Sequence, residues 1–256
     1  MRITTWNVNG LRAALKKGLH RHVDALEPDI LMLQEIRATP AQLPASEQSP
    51  DGWFCAWHPA ERLGYSGVAT WSRRPQWTVG VGMDAADPEG RILRTRTKKV
   101  QLVNVYLPSG SRSEEAQARK EDWMARFLPW AAALAATDEP VILAGDLNIA
   151  HTELDIHNPR GNKRNSGFLP NEREWFTELL TSGWSDLFRD HVGAQQGPYS
   201  WWSNRGRARE LDRGWRIDYL LGNAAAAAIC RGASVHRPGG MEVSDHAPVS
   251  IDLALR

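Results

Sequence analysis

Pro140-Val141-Ile142-Leu143-Ala144-Gly145-Asp146-Leu147-Asn148-Ile149-Ala150 is the stretch on which the reading of this chain turns. Residues 141–143 form a short continuous apolar run after a proline, the pattern of a strand buried on both faces. Ala144-Gly145 then lets other backbone come close, and Asp146 and Asn148 follow where the strand runs out. Two residues apart in extended chain, their side chains point the same way. The carboxylate can hold a metal or a water, and the carboxamide can donate to an oxyanion without adding charge. The alternative is a plain Asx turn closing a buried strand.

The surrounding chain has 256 residues, 42% apolar and 24% charged, an ordinary globular composition with no linker-like tract. One large α/β or β-sandwich domain over residues 1–256 is expected. The net charge of +1, from 31 basic and 30 acidic residues, announces no polyanion partner. Local charge says more. Residues 205–216 carry five arginines against Glu210 and Asp212, a local +3. Arg160, Lys163 and Arg164 cluster without an acid between them, as do Arg12, Lys16, Lys17 and Arg21. One such group reads as a solvated face; three beside candidate loops point to phosphate. Two distant cysteines, Cys55 and Cys230, suit a reducing compartment. No leader pattern and no run near the ~18 apolar residues of a membrane helix is present. The expected setting is therefore cytoplasmic, with no membrane partner.

Outward from 140–150, the pattern predicts a strand over 2–8 with Asn7 and Asn9 on one face, then one helix over 11–26 closed by Pro28. A second buried strand over 29–35 ends in Gln34-Glu35. A carboxylate there is costly unless paired, which makes Glu35 a metal ligand or half of a buried salt bridge. Residues 53–58 and 66–72 read as paired strands, with Tyr65 a stacking tip or a hairpin plug. Residues 76–81, 92–97 and 99–107 continue an antiparallel meander. It ends near Tyr106, a phosphate donor or a core tyrosine. Residues 113–136 form a long helix with Ser113 as N-cap, kinked or ended at Pro129. The polar stretch 151–170 reads as a functional loop without secondary structure. A helix over 171–180 follows, and residues 199–202 and 215–221 should pair as strands around the basic loop 203–214. Strands over 233–236 and 249–255 complete two packed sheets covered by helices. No internal repeat is legible.

The strand-end polar residues are Asn7, Asn9, Glu35, Tyr106, Asp146, Asn148, Asp218, Asp245 and His246. Lacking cysteine and a close histidine pair, they argue against zinc. A few oxygen ligands suit Mg²⁺, which keeps waters and binds through one or two carboxylates plus substrate phosphate. A phosphodiester hydrolase needs such a metal, donors for the non-bridging oxygens and a group to orient water.

Several motifs resemble the exonuclease III / AP endonuclease family, in its bacterial exodeoxyribonuclease III form. They are Trp6-Asn7-Val8-Asn9-Gly10-Leu11-Arg12, Leu33-Gln34-Glu35, Gly64-Tyr65-Ser66-Gly67-Val68 and Gly145-Asp146-Leu147-Asn148. Gly161-Asn162-Lys163-Arg164-Asn165, Gly214-Trp215-Arg216-Ile217-Asp218-Tyr219 and Ser244-Asp245-His246-Ala247-Pro248 continue the likeness to the end of the chain. The resemblance implies a four-layered α/β sandwich, two mixed, mostly antiparallel sheets flanked by helices. It implies Mg²⁺-dependent cleavage, with Mn²⁺ as a substitute, of duplex DNA 5′ to abasic sites, leaving a 3′-hydroxyl. Exonuclease action in the 3′→5′ direction and 3′-phosphatase or phosphodiesterase action accompany it. The implied partner is double-stranded DNA with abasic or 3′-blocked sites, met by a monomer at the nucleoid.

Carried over by position, Glu35 binds the metal, Asn7 supports it, and Asp245 adds a carboxylate. Asp146 orients or deprotonates water, Asn148 helps hold it or the phosphate, and Tyr106 and Asn165, beside Asn162, contact the scissile phosphate. Asp218 pairs with His246, and either Asp146 or His246 is the general base. Trp201, Trp215 and Ile217 select an abasic sugar or are simply core, while Arg12, Tyr65 and Arg205 grip the duplex. Asn9 stands where some members carry Asp, and Arg205 where others carry an apolar wedge. A phosphatase acting on inositol phosphates or lipids would need no 161–165 or 214–219 motif. A non-catalytic DNA-binding module would have no use for Glu35 and His246.

Overall fold

The computed structural model describes residues 1–83 and 86–255, without the side chains of 238–240. Twelve strands are present among them: β1 (Arg2–Asn7), β2 (Ile30–Gln34), β3 (Phe54–His58), β4 (Val68–Ser72), β5 (Trp77–Val81) and β6 (Ile92–Arg96) come first. Then follow β7 (Gln101–Tyr106), β8 (Val141–Asp146), β9 (Ser185–Asp186), β10 (Asp218–Gly222), β11 (Cys230–Val235) and β12 (Val249–Leu253). They form two six-stranded sheets, ordered β11-β12-β1-β2-β4-β3 and β5-β6-β7-β8-β10-β9. Read circularly from β11, the first sheet has the wiring of the second. Each has one parallel pair at its centre, β1 with β2 and β7 with β8, and antiparallel neighbours elsewhere. This duplication left no sequence repeat because only the connectivity is shared.

The unbroken apolar strands follow from burial on both sides. Ile30 and Met32 of β2 face the second sheet, where they meet Leu102, Ile142, Ala144 and Leu220. Leu31 and Leu33 face outward against Leu11, Leu19 and Val23 of the covering helices. The outer face of the second sheet, with Val103, Val105, Leu143 and Tyr219, is covered by Trp123, Phe127, Trp175 and Phe176. A parallel pair needs a crossover, and the helices that supply it become the outer layers. The order helix, sheet, sheet, helix is the four-layered sandwich expected from the sequence.

A polar seam crosses the apolar interface between the sheets. Asn104 donates to the carbonyls of Leu33 and Ala69 at 3.2 and 2.8 Å and accepts from Gln34 at 2.7 Å. Gln34 in turn meets Thr5 of β1. These bonds join β7 to β2 and β4, so the strand ends that carry the site are held in register across the sandwich.

Three expectations need correction. The helix over 11–26 is two helices, Leu11–Lys16 and Leu19–Leu26, because Gly18 takes a φ of +88°. Of the two alternatives at Pro129, an end is excluded, because the helix Glu114–Ala135 runs through it. Proline removes the donor for the Ala125 carbonyl, but that residue is exposed and water can serve it. Residues 199–202 form no strand: Trp201 and Trp215 exchange only one pair of backbone bonds, both 2.8 Å. β10 pairs with β8 and β9 instead, because the chain before it is diverted onto the 151–170 segment. There the Arg216 amide donates to the Asp155 carbonyl and the His157 amide to that of Gly214. The segment is likewise no bare loop: it contains turns at Glu153–Asp155 and Pro159–Asn162, and Asp155, Ile156 and Phe168 are buried.

Candidate active site

The functional side chains sit where the central strands end. Tyr106 of β7 and Asp218 of β10 both register against Asp146 of β8, so the three stand in one row across the sheet. Asp218 escapes the alternation that would oppose it to Ile217 because regular strand begins only at Asp218. Gly145, at φ +148°, lies so close to β7 that an added Cβ would be 1.8 Å from the Val105 carbonyl oxygen. The close backbone approach read from Ala144-Gly145 is thus what brings Tyr106 beside Asp146. Across the sandwich, β1 and β2 deliver Asn7 and Glu35. Asn9, Glu35 and Asn148 all take positive φ, near +50°. Left-handed backbone costs each of them roughly 1–2 kcal/mol, a strain that collects at functional rims.

Buried Asn7 links the two halves, donating to Asp146 Oδ2 at 2.8 Å and to Glu35 Oε1 at 3.0 Å. Arg37 pairs with the other Glu35 oxygen. Asp245 accepts from Asn9 Nδ2 at 2.8 Å and from Trp201 Nε1 at 3.2 Å. His246 Nδ1 lies 2.9 Å from Asp218 Oδ2, and its Nε2 lies 3.8 Å from Asp146 Oδ2. Ser200 Oγ donates to Asp218 Oδ2 at 2.6 Å, fixing that carboxylate from behind. Asn148 uses its amide side chain on the Leu107 carbonyl, and its backbone N–H on Asp146 Oδ1 at 2.9 Å.

These contacts set the protonation states. Burial pushes the Asp146 carboxyl up to about 7, although His246 pulls against that rise. Burial opposes the His246 cation, but Asp218 and Asp146 more than offset it and hold its proton to about 10. Burial, with the anions Glu35 and Asp146 nearby, raises the Tyr106 phenol well above its usual value, so it stays a neutral donor. Asp245 is held below the usual carboxylate range: His246, Asn9 and Trp201 outweigh its burial.

Above this floor opens a cleft of about 800 Å³. Of the residues singled out from sequence, Asn9, Glu35, Tyr106, Asp146, Asn148, Asn165, Trp201, Arg205, Trp215, Ile217, Asp245 and His246 line it. Asn7 and Asp218 lie beneath as buried supports. Asn162 does not line the cleft; its Oδ1 accepts from Asn165 Nδ2 at 2.8 Å and so orients that residue. Arg12 falls in an adjoining groove with Lys16 and Arg37. Tyr65 is neither free tip nor buried plug. Its hydroxyl donates to Glu89 and accepts from Arg91, beside a basic side cleft with Arg112, Arg119 and Arg126.

Sequence reasoning missed Arg37, the wall 109–113 and the pair Lys120–Glu172. That pair is fully buried at 2.6 Å; Lys120 also donates to the Asn148 carbonyl, and Glu172 accepts from the amides of Gly167 and Leu169. The signal was available for Lys120, which shares a helical face with Ala116, Trp123, Met124 and Phe127.

Oxygen donors dominate the floor. With Asp146 ionised, Glu35, Asp146, Asp218 and Asp245 against Arg37 and protonated His246 make four negative charges against two positive, a formal −2. Asp146, Asp218 and His246 also bring ligand atoms within 4.8 Å of one another, a group that could hold a metal ion. A −2 floor of oxygen ligands under neutral donors, walled by arginines and tryptophans, defines a hydrolase of phosphate esters. The chain belongs to the Endonuclease/Exonuclease/phosphatase family, whose pattern matches residues 4–246. It is 38% identical to a DNA repair nuclease, APEX1, of Danio rerio over 260 residues, covering 100% of this chain and 83% of that protein. An exodeoxyribonuclease of Bacillus subtilis (strain 168) is 36% identical over 254 residues, 98% of each chain. The solved structure of the 3′ phosphatase NExo from Neisseria, bound to product DNA hairpin, matches with a TM-score of 0.90 at 31% identity over 100% of both chains. Within its family the chain is a DNA repair nuclease. No helix among the described residues is long and apolar enough to cross a membrane.

Proposed function

We propose that this nuclease is a Mg²⁺-dependent repair endonuclease that cuts duplex DNA 5′ to abasic sites, leaving a 3′-hydroxyl. Trimming of 3′ ends and removal of 3′-phosphates accompany that cleavage, and it works as a monomer in the cytoplasm, at the nucleoid. The observation that carries the reading is the Asp146–His246–Asp218 row at the floor of a cleft walled by Trp201, Trp215 and Ile217.

Glu35 and Asp245, with the carboxamides of Asn7 and Asn9 beside them, supply the oxygen set that fits Mg²⁺ or Mn²⁺. Bound there, the ion would neutralise charge developing on the phosphate. Glu35 and Asp245 would hold it rather than the Asp146–Asp218–His246 group, because the imidazolium already lies between those two carboxylates. Asp146, with its affinity for a proton raised into the neutral range, is the group to take the proton of the attacking water. His246 stays protonated at neutral pH, so it serves as a fixed cation that Asp218 and Ser200 orient. Tyr106 and Asn165 donate to the non-bridging oxygens, and Asn148 holds the turn that aims Asp146. In this reading Arg205, Arg12 and Tyr65 grip the duplex.

An abasic sugar has no base to unstack, so flipping it costs little, and a narrow pocket excludes intact nucleotides. Trp201 and Trp215 meet edge to face, with centroids 6.0 Å apart, and Trp215 and Ile217 pack on Ile156 and Phe168. That backing makes the wall stiff. Gly167 packs against the same wall: a Cβ there would be 3.1 Å from the Trp215 ring.

The test is incision of a labelled duplex bearing one tetrahydrofuran abasic analogue, with Mg²⁺ or EDTA, for wild type and Glu35→Ala. Mg²⁺-dependent cutting 5′ to the lesion, lost in the variant, is expected. The likeness to the Neisseria 3′ phosphatase favours a second reading, an end-processing enzyme. Trimming of 3′ ends or 3′-phosphates without internal incision would establish that instead.

A further inference from the structure

Glu35 has both oxygens engaged, one by Asn7 and one by Arg37, and these two partners differ in kind. Asn7 is buried and tied to Asp146 as well. Arg37 is not tied down: 41% of its side chain is exposed, against 13% for Glu35. The backbone between them is fixed, with Ile36 fully buried and the amides of Ile36 and Arg37 bonded to the carbonyls of Gly67 and Ser66 at 3.1 and 2.9 Å. Whatever changes at this pair therefore changes in side-chain rotamers. The Arg37 side chain lines both the main cleft and the adjoining groove of about 410 Å³ that holds Arg12 and Lys16. A released guanidinium thus has a solvated place to go, one suited to a phosphate that would offset three clustered cations.

Resting on the reading of Glu35 as ligand to the divalent ion, we propose that Arg37 is an exchangeable internal cation. It neutralises Glu35 while no metal is bound, competes with the divalent ion for Oε2, and moves into the groove when the ion binds. Arg37 is then a positioning residue that lowers metal affinity in the resting protein. The physical basis is simple competition: with the guanidinium in place the pair presents no net charge, and without it a full carboxylate faces the ion.

The experiment is titration of MnCl₂ into DNA-free protein, read by calorimetry and by the electron paramagnetic resonance of free Mn²⁺. Removing a partly exposed ion-pair partner should tighten Mn²⁺ binding in Arg37→Gln by roughly fivefold. Arg37→Lys, which keeps the charge, should bind close to wild type. Equal or weaker binding by Arg37→Gln would overturn the inference. Glu35→Gln separates the two readings. If it binds Mn²⁺ as wild type does, the assignment of Glu35 fails. If it loses binding while Arg37→Gln matches wild type, only the role of Arg37 fails. Circular dichroism of each variant confirms that the fold is intact.

Discussion

Asp146 and His246 stand 3.8 Å apart and compete for a proton, and that competition yields the sharpest predictions. The rate of abasic-site incision should rise with pH as Asp146 ionises around 7 and fall as His246 loses its proton around 10. A bound divalent ion favours the anionic aspartate and the neutral histidine, so both limbs should move to lower pH. The stability linkage of His246 has the opposite sign to that of a salt-bridged acid. Its folded affinity for a proton is raised, so its contribution is complete below about 6.5 and lost as pH rises through about 10. Asp146→Asn should bind abasic duplex normally but cut about 10²–10⁴ times more slowly, the usual range for a lost general base. Normal cutting by that variant would sink the role given to Asp146. Trp215→Ala should blur discrimination between abasic and intact nucleotides more than it slows exonuclease action, as competition between the two substrates will show.

At the scale of elements, the 151–170 segment holds the pocket wall in place through one buried carboxylate. Asp155 accepts from Arg216 Nε at 2.7 Å and Arg189 Nη2 at 2.5 Å, while Arg216 also donates to Asp186 at 2.7 Å. Burial works against the Asp155 anion, but the two arginines outweigh it and hold the carboxyl far below its usual range. A depressed folded value means a contribution present above the unfolded value and lost only in strong acid. Asp155→Ala strips one of the two carboxylates from buried Arg216 and should cost about 3–5 kcal/mol in denaturant unfolding. It should also loosen abasic selection, since Arg216 lies between Trp215 and Ile217. The sequence pattern made this segment a loop because polar residues dominate it. Only tertiary partners 34 and 61 positions away, Arg189 and Arg216, make a buried anion at Asp155 tolerable.

The whole molecule carries almost no net charge, so its attraction for DNA must come from where the cations lie. Affinity for abasic duplex should fall with salt, and Arg205→Ala should lower the slope of log K against log salt by about 1. A slope unchanged by that substitution would place Arg205 off the phosphate path. The two sheets depend on the seam at Asn104 for their relative setting. Asn104→Leu should destabilise the protein by roughly 1–3 kcal/mol, since it removes a partner from the carbonyls of Leu33 and Ala69 and one from the amide of Gln34. Much of the architecture was legible along the chain. Apolar runs such as 141–143 and 30–33 mark strands covered on both faces, and turn residues mark their ends, because those preferences are local. Strand-end polar residues marked the site for the same reason: a carboxylate closing an apolar strand has few uses. What the chain could not reveal was which strand ends meet. The row Tyr106–Asp146–Asp218, the bridging of the two sheets by Asn7, the buried pair Lys120–Glu172 and the Arg37 guanidinium on Glu35 all join distant or differently directed segments. Their geometry is set by sheet pairing and by the packing of one sheet on the other, which no local pattern encodes.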